Sequence, residues 1–297
     1  GHWRVLLDLA LLALSAGLYS VPMYALIQWR SPATHRARII AANNILNALF
    51  MIVSAGMVAV LTATGFTLAQ VLLITGILNV LVAGYIFLLV PEYLLRFSAW
   101  LLSNVVYRFK VRGSSHIPLE GAAILAANHV SFADAVLLMS ASPRPVYFLM
   151  DYRIFQNRLL GGLFRLAKAI PIASKAENPA LYEQAMQRAQ QVLAAGDILG
   201  IFPEGGITRD GQLQPFKGGI MRVLDDAAGL GIAPPVIPVA IQNMWGSYFS
   251  RIDGTAMCSP FRRGFWARVG IHIGAPMAPT EASPEHLHTQ VQALLNS

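Results

Sequence analysis

A histidine and an aspartate stand five positions apart in Asn128-His129-Val130-Ser131-Phe132-Ala133-Asp134. On a regular helix five positions turn ~500°, so the two side chains would not share a face. If His129 sits in a loop and Asp134 in the first turn of the helix that follows, the ring folds back and donates to the carboxylate. Such an acid fixes the imidazole tautomer and leaves the other ring nitrogen to take a proton. That is the equipment of a general base. The same spacing also fits a loop histidine at a helix start with no chemistry. Ser131 carries a hydroxyl but little marks it as a nucleophile; it and Asn128 are candidate substrate contacts.

A second cluster is Phe202-Pro203-Glu204-Gly205-Gly206-Ile207-Thr208-Arg209-Asp210-Gly211. Its glycines allow close backbone approach, Glu204 and Arg209 bring opposite charges, and Thr208 adds a hydroxyl. A solvated turn is the plain alternative. Further on, Phe216-Lys217-Gly218-Gly219 precedes a helical stretch, where backbone N–H groups and Lys217 suit an anion. His116, His272, His286 and His288 lack Cys or carboxylate partners at ligand spacing, so neither a metal nor a cofactor is expected.

These loops need a frame. Strands are expected at 109–112, 122–126, 146–150, 169–172, 198–202, 236–242 and 267–273. Helices are expected at 133–140, 159–166, 179–195, 218–228 and 284–295. Strands separated by helices imply a largely parallel α/β sheet. Ligands of such sheets bind beyond the carboxyl ends of strands, where both clusters fall.

Of 297 residues only 12% are charged, against 55% hydrophobic. The charge is uneven: residues 1–97 hold seven charged groups and residues 98–297 hold thirty. Residues 39–91 form a run of 53 without Asp, Glu, Lys or Arg. A spanning helix needs ~20 apolar residues, so spans are expected at 5–29, 39–62 and 68–90, with Pro22 a kink in the first. A cleaved signal peptide fits the first segment poorly, because two more spans follow. Arg30, His35, Arg36 and Arg38 fill the first loop and the second has no charge. The positive-inside rule then places that loop, and everything after Arg96, in the cytoplasm. The N-terminus faces outward, as in a chain cut from something longer.

Asn43 and Asn47 share a face of the second span. Bonding between helices is the favoured role, and a polar transport path the other. Residues 98–108 read either as an interfacial helix or as a linker packed on the next domain. The net charge of +7 beside a membrane segment points to lipid headgroups rather than nucleic acid. The lone Cys258 excludes an internal disulfide.

Taken in order, His129 to Asp134, Phe202-Pro203-Glu204-Gly205, Phe216-Lys217-Gly218 and Ile237-Pro238-Val239 resemble the glycerolipid acyltransferase family, of the bacterial lysophosphatidate-acyltransferase type. The likeness spans about 107–280. The segments Gly17–Pro22 and Asn43–Ala48 also resemble the last three helices of lysophospholipid transporters of the major facilitator superfamily. Three helices could not build that carrier's pathway, which lies between two halves.

The first resemblance implies an α/β acyltransferase domain over 109–297, preceded by an all-α transmembrane segment over 1–97. It implies transfer of a fatty acyl group from acyl-CoA or acyl-carrier protein to a lysophospholipid hydroxyl, with His129 as base and Asp134 as orienter. Phe202, Pro203, Glu204, Gly205, Thr208 and Gly218 would contact substrate. Two positions depart from the family: Gly206-Ile207 replaces Thr-Arg, and Ala173-Ser174-Lys175 stands where many members carry an Arg. Both family arginines are associated with the acceptor's phosphate, so Arg209, Lys175 or Lys217 would substitute. The departures turn the expectation from lysophosphatidate towards a phosphodiester acceptor such as lysophosphatidylethanolamine. The expected setting is the cell inner membrane. A transporter fragment with a lipid-binding domain, or a transporter fused to the enzyme, is the alternative.

Overall fold

The computed structural model describes residues 2–89, 91–156, 158–254 and 267–297. Cys258 lies outside the described residues. The chain divides into two compact units, residues 1–83 and 84–297.

The first unit is helical. Helices α1 (His2–Arg30) and α2 (Arg36–Ala63) are followed by α3 (Leu68–Leu89), which begins in this unit. Within them the stretches His2–Ala25, Arg36–Ala63 and Leu68–Ile86 are long and apolar enough to cross a membrane. A helix suits such a sequence because it satisfies every interior backbone group within the segment. α1 stays helical through position 22. The turn after α2 falls between the two spans expected at 39–62 and 68–90, with Gly65 at φ 91°. Asn47 Nδ2 donates to Tyr24 Oη at 2.7 Å, a hydrogen bond between α2 and α1.

The second unit is an α/β fold. Helix α4 (Pro91–Val106) leads into β1 (Tyr107–Arg112), then β2 (Ala123–Ala127), α5 (Asp134–Ala141), β3 (Val146–Asp151), α6 (Arg158–Leu166) and β4 (Ile170–Ile172). There follow α7 (Pro179–Ala194), β5 (Ile198–Ile201), α8 (Gly219–Gly229), β6 (Val236–Gln242), β7 (Ala267–Ile273) and α9 (Pro284–Leu295). The seven strands lie in the order β1-β7-β6-β2-β5-β3-β4. Every pairing is parallel except β6 with β7.

Strand β2 runs down the middle, and all five of its residues are buried. Side chains alternate along a strand, so Leu125 and Ala127 join α5 in one core while Ile124 and Ala126 join α7, α8 and α9 in the other. Burial on both faces is why this strand reads as unbroken apolar sequence. Helix α4 packs on α5 through a face that buries Ala99 and Ser103, and leaves Phe97, Trp100, Leu101 and Val105 exposed. The range 98–108 therefore ends in β1 and packs on the domain while keeping an apolar outer face.

Candidate active site

Three neighbouring parallel strands, β6, β2 and β5, end on one side of the sheet. The His129 loop leaves β2, the Glu204 loop leaves β5, and the Asn243 loop leaves β6. The sheet thus brings together segments more than a hundred residues apart.

The loop after β2 closes on Asp134. His129 Nδ1 lies 2.9 Å from Asp134 Oδ2. The same oxygen accepts from the backbone N–H of Val130 at 2.6 Å and of Ser131 at 2.8 Å. Oδ1 accepts from Ser131 Oγ at 2.6 Å. Asp134 is fully buried, and the His129 side chain keeps 20% exposure. The aspartate therefore shapes the loop and orients the ring at once. With Nδ1–H donated to a carboxylate, Nε2 is the nitrogen left to take a proton.

Glu204 ties the second loop to the first. Its Oε1 accepts from the backbone N–H of His129 at 2.6 Å and its Oε2 from that of Gln214 at 3.1 Å. Thr208 closes the other side, its N–H donating to the carbonyl of His129 at 2.9 Å. Glu204 is buried, and burial pushes its carboxyl up to about 7 against the pull of the two backbone donors. Phe202 stacks on the imidazole, with ring centroids 4.1 Å apart and planes 14° from parallel.

A cavity of about 270 Å³ opens beside His129. Its walls include Asn128, Glu204 and Thr208, together with Gln212, Asn243, Trp245 and Leu295. The last four were not expected. Trp245 lies over Gly211, where a Cβ would meet the indole at 2.7 Å and where φ is +81°. Asn243 holds φ 62°, a left-handed conformation uncommon for residues other than glycine. The available signal was positional: Asn243-Met244-Trp245 follows β6 as His129 follows β2.

The other expected residues separate into groups. Asn128 faces the sheet, accepting from Ile241 N–H at 2.7 Å and donating to Ile241 O at 3.1 Å, which splices β2 to β6. Ser131 is fully buried, and its hydroxyl donates to Asp134 and accepts from Ala133 N–H. Pro203 accepts from the N–H of Lys217. Gly205, at φ +69°, lies under the Lys217 side chain, where a Cβ would come within 2.7 Å of Nζ. Gly218 caps α8. Arg209 and Lys217 are exposed beside these turns. Lys175 is exposed on the loop after edge strand β4, with β3 between it and β5. It does not reach the cavity wall.

Known proteins resemble this half of the chain. Residues 108–242 match the family model described as Acyltransferase. A 1-acyl-sn-glycerol-3-phosphate acyltransferase of Limnanthes douglasii is 32% identical over 152 residues, covering 51% of this chain and 50% of the relative. A protein of the same description from Borreliella burgdorferi is 26% identical, covering 50% of this chain and 56% of the relative. Taffazin of Dictyostelium discoideum is 32% identical, covering 41% and 45%. The chain spans about half the length of the curated relatives it matches. The crystal structure of the 1-acyl-sn-glycerophosphate acyltransferase PlsC from Thermotoga maritima aligns with a TM-score of 0.47 at 23% identity, over 63% of this chain and 68% of that one. Both the His129 and the Glu204 loops lie within the residues that match the Acyltransferase family model.

Proposed function

We propose that the protein is a membrane-bound acyltransferase that moves a fatty acyl group from acyl-CoA or acyl-carrier protein to the free hydroxyl of a lysophospholipid. One observation carries the reading: His129 is held by a buried carboxylate at Nδ1 and borders a cavity at the carboxyl ends of three strands. A protein that only bound lipid would have no use for an oriented base. The relatives named as 1-acyl-sn-glycerol-3-phosphate acyltransferases support a glycerolipid acceptor.

The acceptor hydroxyl gives its proton to His129 Nε2 as its oxygen attacks the thioester carbonyl. Asp134 steadies the imidazolium that forms. Collapse of the tetrahedral intermediate breaks the C–S bond, and the imidazolium returns the proton to the leaving thiolate. The products are the acylated lipid and the free thiol, with no covalent enzyme intermediate. Ser131 is not the nucleophile, since its hydroxyl is spent on Asp134.

The acceptor on this reading is a phosphodiester lysophospholipid such as lysophosphatidylethanolamine. Gly206-Ile207 supplies no cation beside Glu204, and Lys175 stands beyond β3. Arg209 and Lys217 are the cations nearest the Glu204 turn in sequence. The apolar helices hold the protein in the cell inner membrane, and the basic residues Arg30, His35, Arg36 and Arg38 around the turn from α1 to α2 set the α/β unit on the cytoplasmic side.

The test is direct. Membranes carrying the full chain are incubated with labelled acyl-CoA or acyl-carrier protein and a panel of lysophospholipids, and the product is identified. His129→Ala is expected to lower acyl transfer by about 10²–10⁴-fold while protein amount stays unchanged. Near-wild-type transfer by His129→Ala would remove His129 as the base.

A further inference from the structure

His129 is pinned at its edges. Nδ1 meets Asp134, the backbone N–H meets Glu204, and the carbonyl meets Thr208. None of these bonds touches the face of the ring. A histidine's last torsion is broad, and the single bond at Nδ1 limits rotation about Cβ–Cγ only within its own tolerance. Rotation within that tolerance moves Nε2, the atom that must meet the substrate proton.

Phe202 covers one face of that ring at 4.1 Å. Phe202 is itself backed by Phe148, with centroids 6.0 Å apart and planes 15° from parallel. Phe148 is 2% exposed and pairs across the sheet with Gly200. A Cβ at Gly200 would fall 2.4 Å from Phe148 Cε1. The missing side chain there makes the room in which Phe148 lies. Three near-parallel rings thus run from the interior of the sheet to the imidazole.

We propose that Phe202 is a positioning residue, which fixes the plane of the His129 imidazole by stacking on it and is held in turn by Phe148 in the space left at Gly200. The inference rests on His129 being the base. It gives Phe202 a role different from substrate contact. The flat face matters and the apolar volume alone does not.

Kinetics of the full chain in membranes decide it. Phe202→Leu is expected to lower kcat about tenfold or more through misplacement of the base, with KM for donor and acceptor both within about twofold. Phe202→Tyr, which keeps the flat face, is expected to restore kcat to within about threefold. Placed on top of His129→Ala, Phe202→Leu should change the residual rate no further, because it acts only through His129. If Phe202→Leu fails to accumulate, Phe202→Met fills similar volume without a flat face and should reproduce the kcat loss. A raised KM with unchanged kcat would make Phe202 a substrate contact and overturn the proposal. A further loss in the His129→Ala background would also overturn it. Full activity of His129→Ala alone is a separate result, which removes the base assignment itself.

Discussion

The two units satisfy their polar side chains in opposite ways. In the helical unit the bonds are local: Thr62 Oγ1 reaches Val58 O, Thr64 Oγ1 reaches Val60 O, Thr75 Oγ1 reaches Val71 O, and Asn79 Nδ2 reaches Thr75 O. Each side chain folds back one turn on its own helix. Asn47 to Tyr24 differs, crossing between helices. In the α/β unit the local bonds at Asp134 are joined by others that span the sequence: Asn128 to Ile241, Glu204 to His129, and Thr208 to His129. Local bonds satisfy a polar group within its own helix and affect little else. Long-range bonds set one loop against another, so a change at one is felt at His129.

The largest break in this contrast is expected at Asn128. Its amide exchanges two hydrogen bonds with Ile241 in a buried strand pair. Asn128→Ala leaves an N–H and a C=O without that partner, at about 1–3 kcal/mol for an unsatisfied buried group. The midpoint of protease resistance on heating in detergent should fall by several degrees, and acyl transfer should fall with it, because His129 is the next residue. A midpoint equal to wild type would mean that β2 and β6 do not depend on the splice.

A smaller effect is expected from Glu204, and it depends on pH. Its carboxyl lies at about 7 in the fold against 4.5 outside it, chiefly through burial. The folded value is the higher one, so the native state prefers the proton. The resulting stability is present at low pH and is lost as pH rises through about 7. The thermal midpoint of the wild type should therefore decline from about pH 4.5 to about 7 and level off above it. Glu204→Gln removes the ionisation and should flatten that decline, at the cost of one of the two backbone clamps, since an amide nitrogen cannot accept. Parallel declines in both proteins would locate the titrating group elsewhere.

The same contrast explains what the sequence made legible. The His129–Asp134 pair was readable because six consecutive residues decide it: a loop followed at once by a helix that begins on the aspartate. The three long apolar helices were readable because apolar length is a property of composition. The strands and helices of the α/β unit were legible within a residue or two, since turns punctuate buried runs. What escaped depends on strand order, which no local pattern encodes. Asn243, Trp245 and Leu295 reach the cavity only because β6 lies next to β2. Lys175 was expected at the site only because it stands where many members of the resembled family carry an Arg; the strand it follows, β4, is the sheet edge, with β3 between it and β5. Glu204 was read as a contact for substrate; it lines the cavity, and its oxygens also hold two backbone N–H groups, a tie that no local pattern announces.

The smallest effect sharpens the comparison from the other side. Thr75 sits in α3, and its hydroxyl donates to Val71 O at 2.9 Å, four residues back. That carbonyl also serves the helix backbone, so removal of the hydroxyl leaves no buried group without a partner. Valine has the same branched shape and the same stiffness at its first torsion. Thr75→Val deletes the hydroxyl's bond together with its need for one, which is close to neutral. The expected change in stability is within about 0.5 kcal/mol, and acyl transfer in membranes should match wild type. Measured beside Asn128→Ala in the same detergent, it tests whether reach along the sequence, rather than hydrogen bonding as such, decides which polar side chains the site depends on. A loss at Thr75 as large as that at Asn128 would show that α3 is coupled to the site by contacts beyond its own helix.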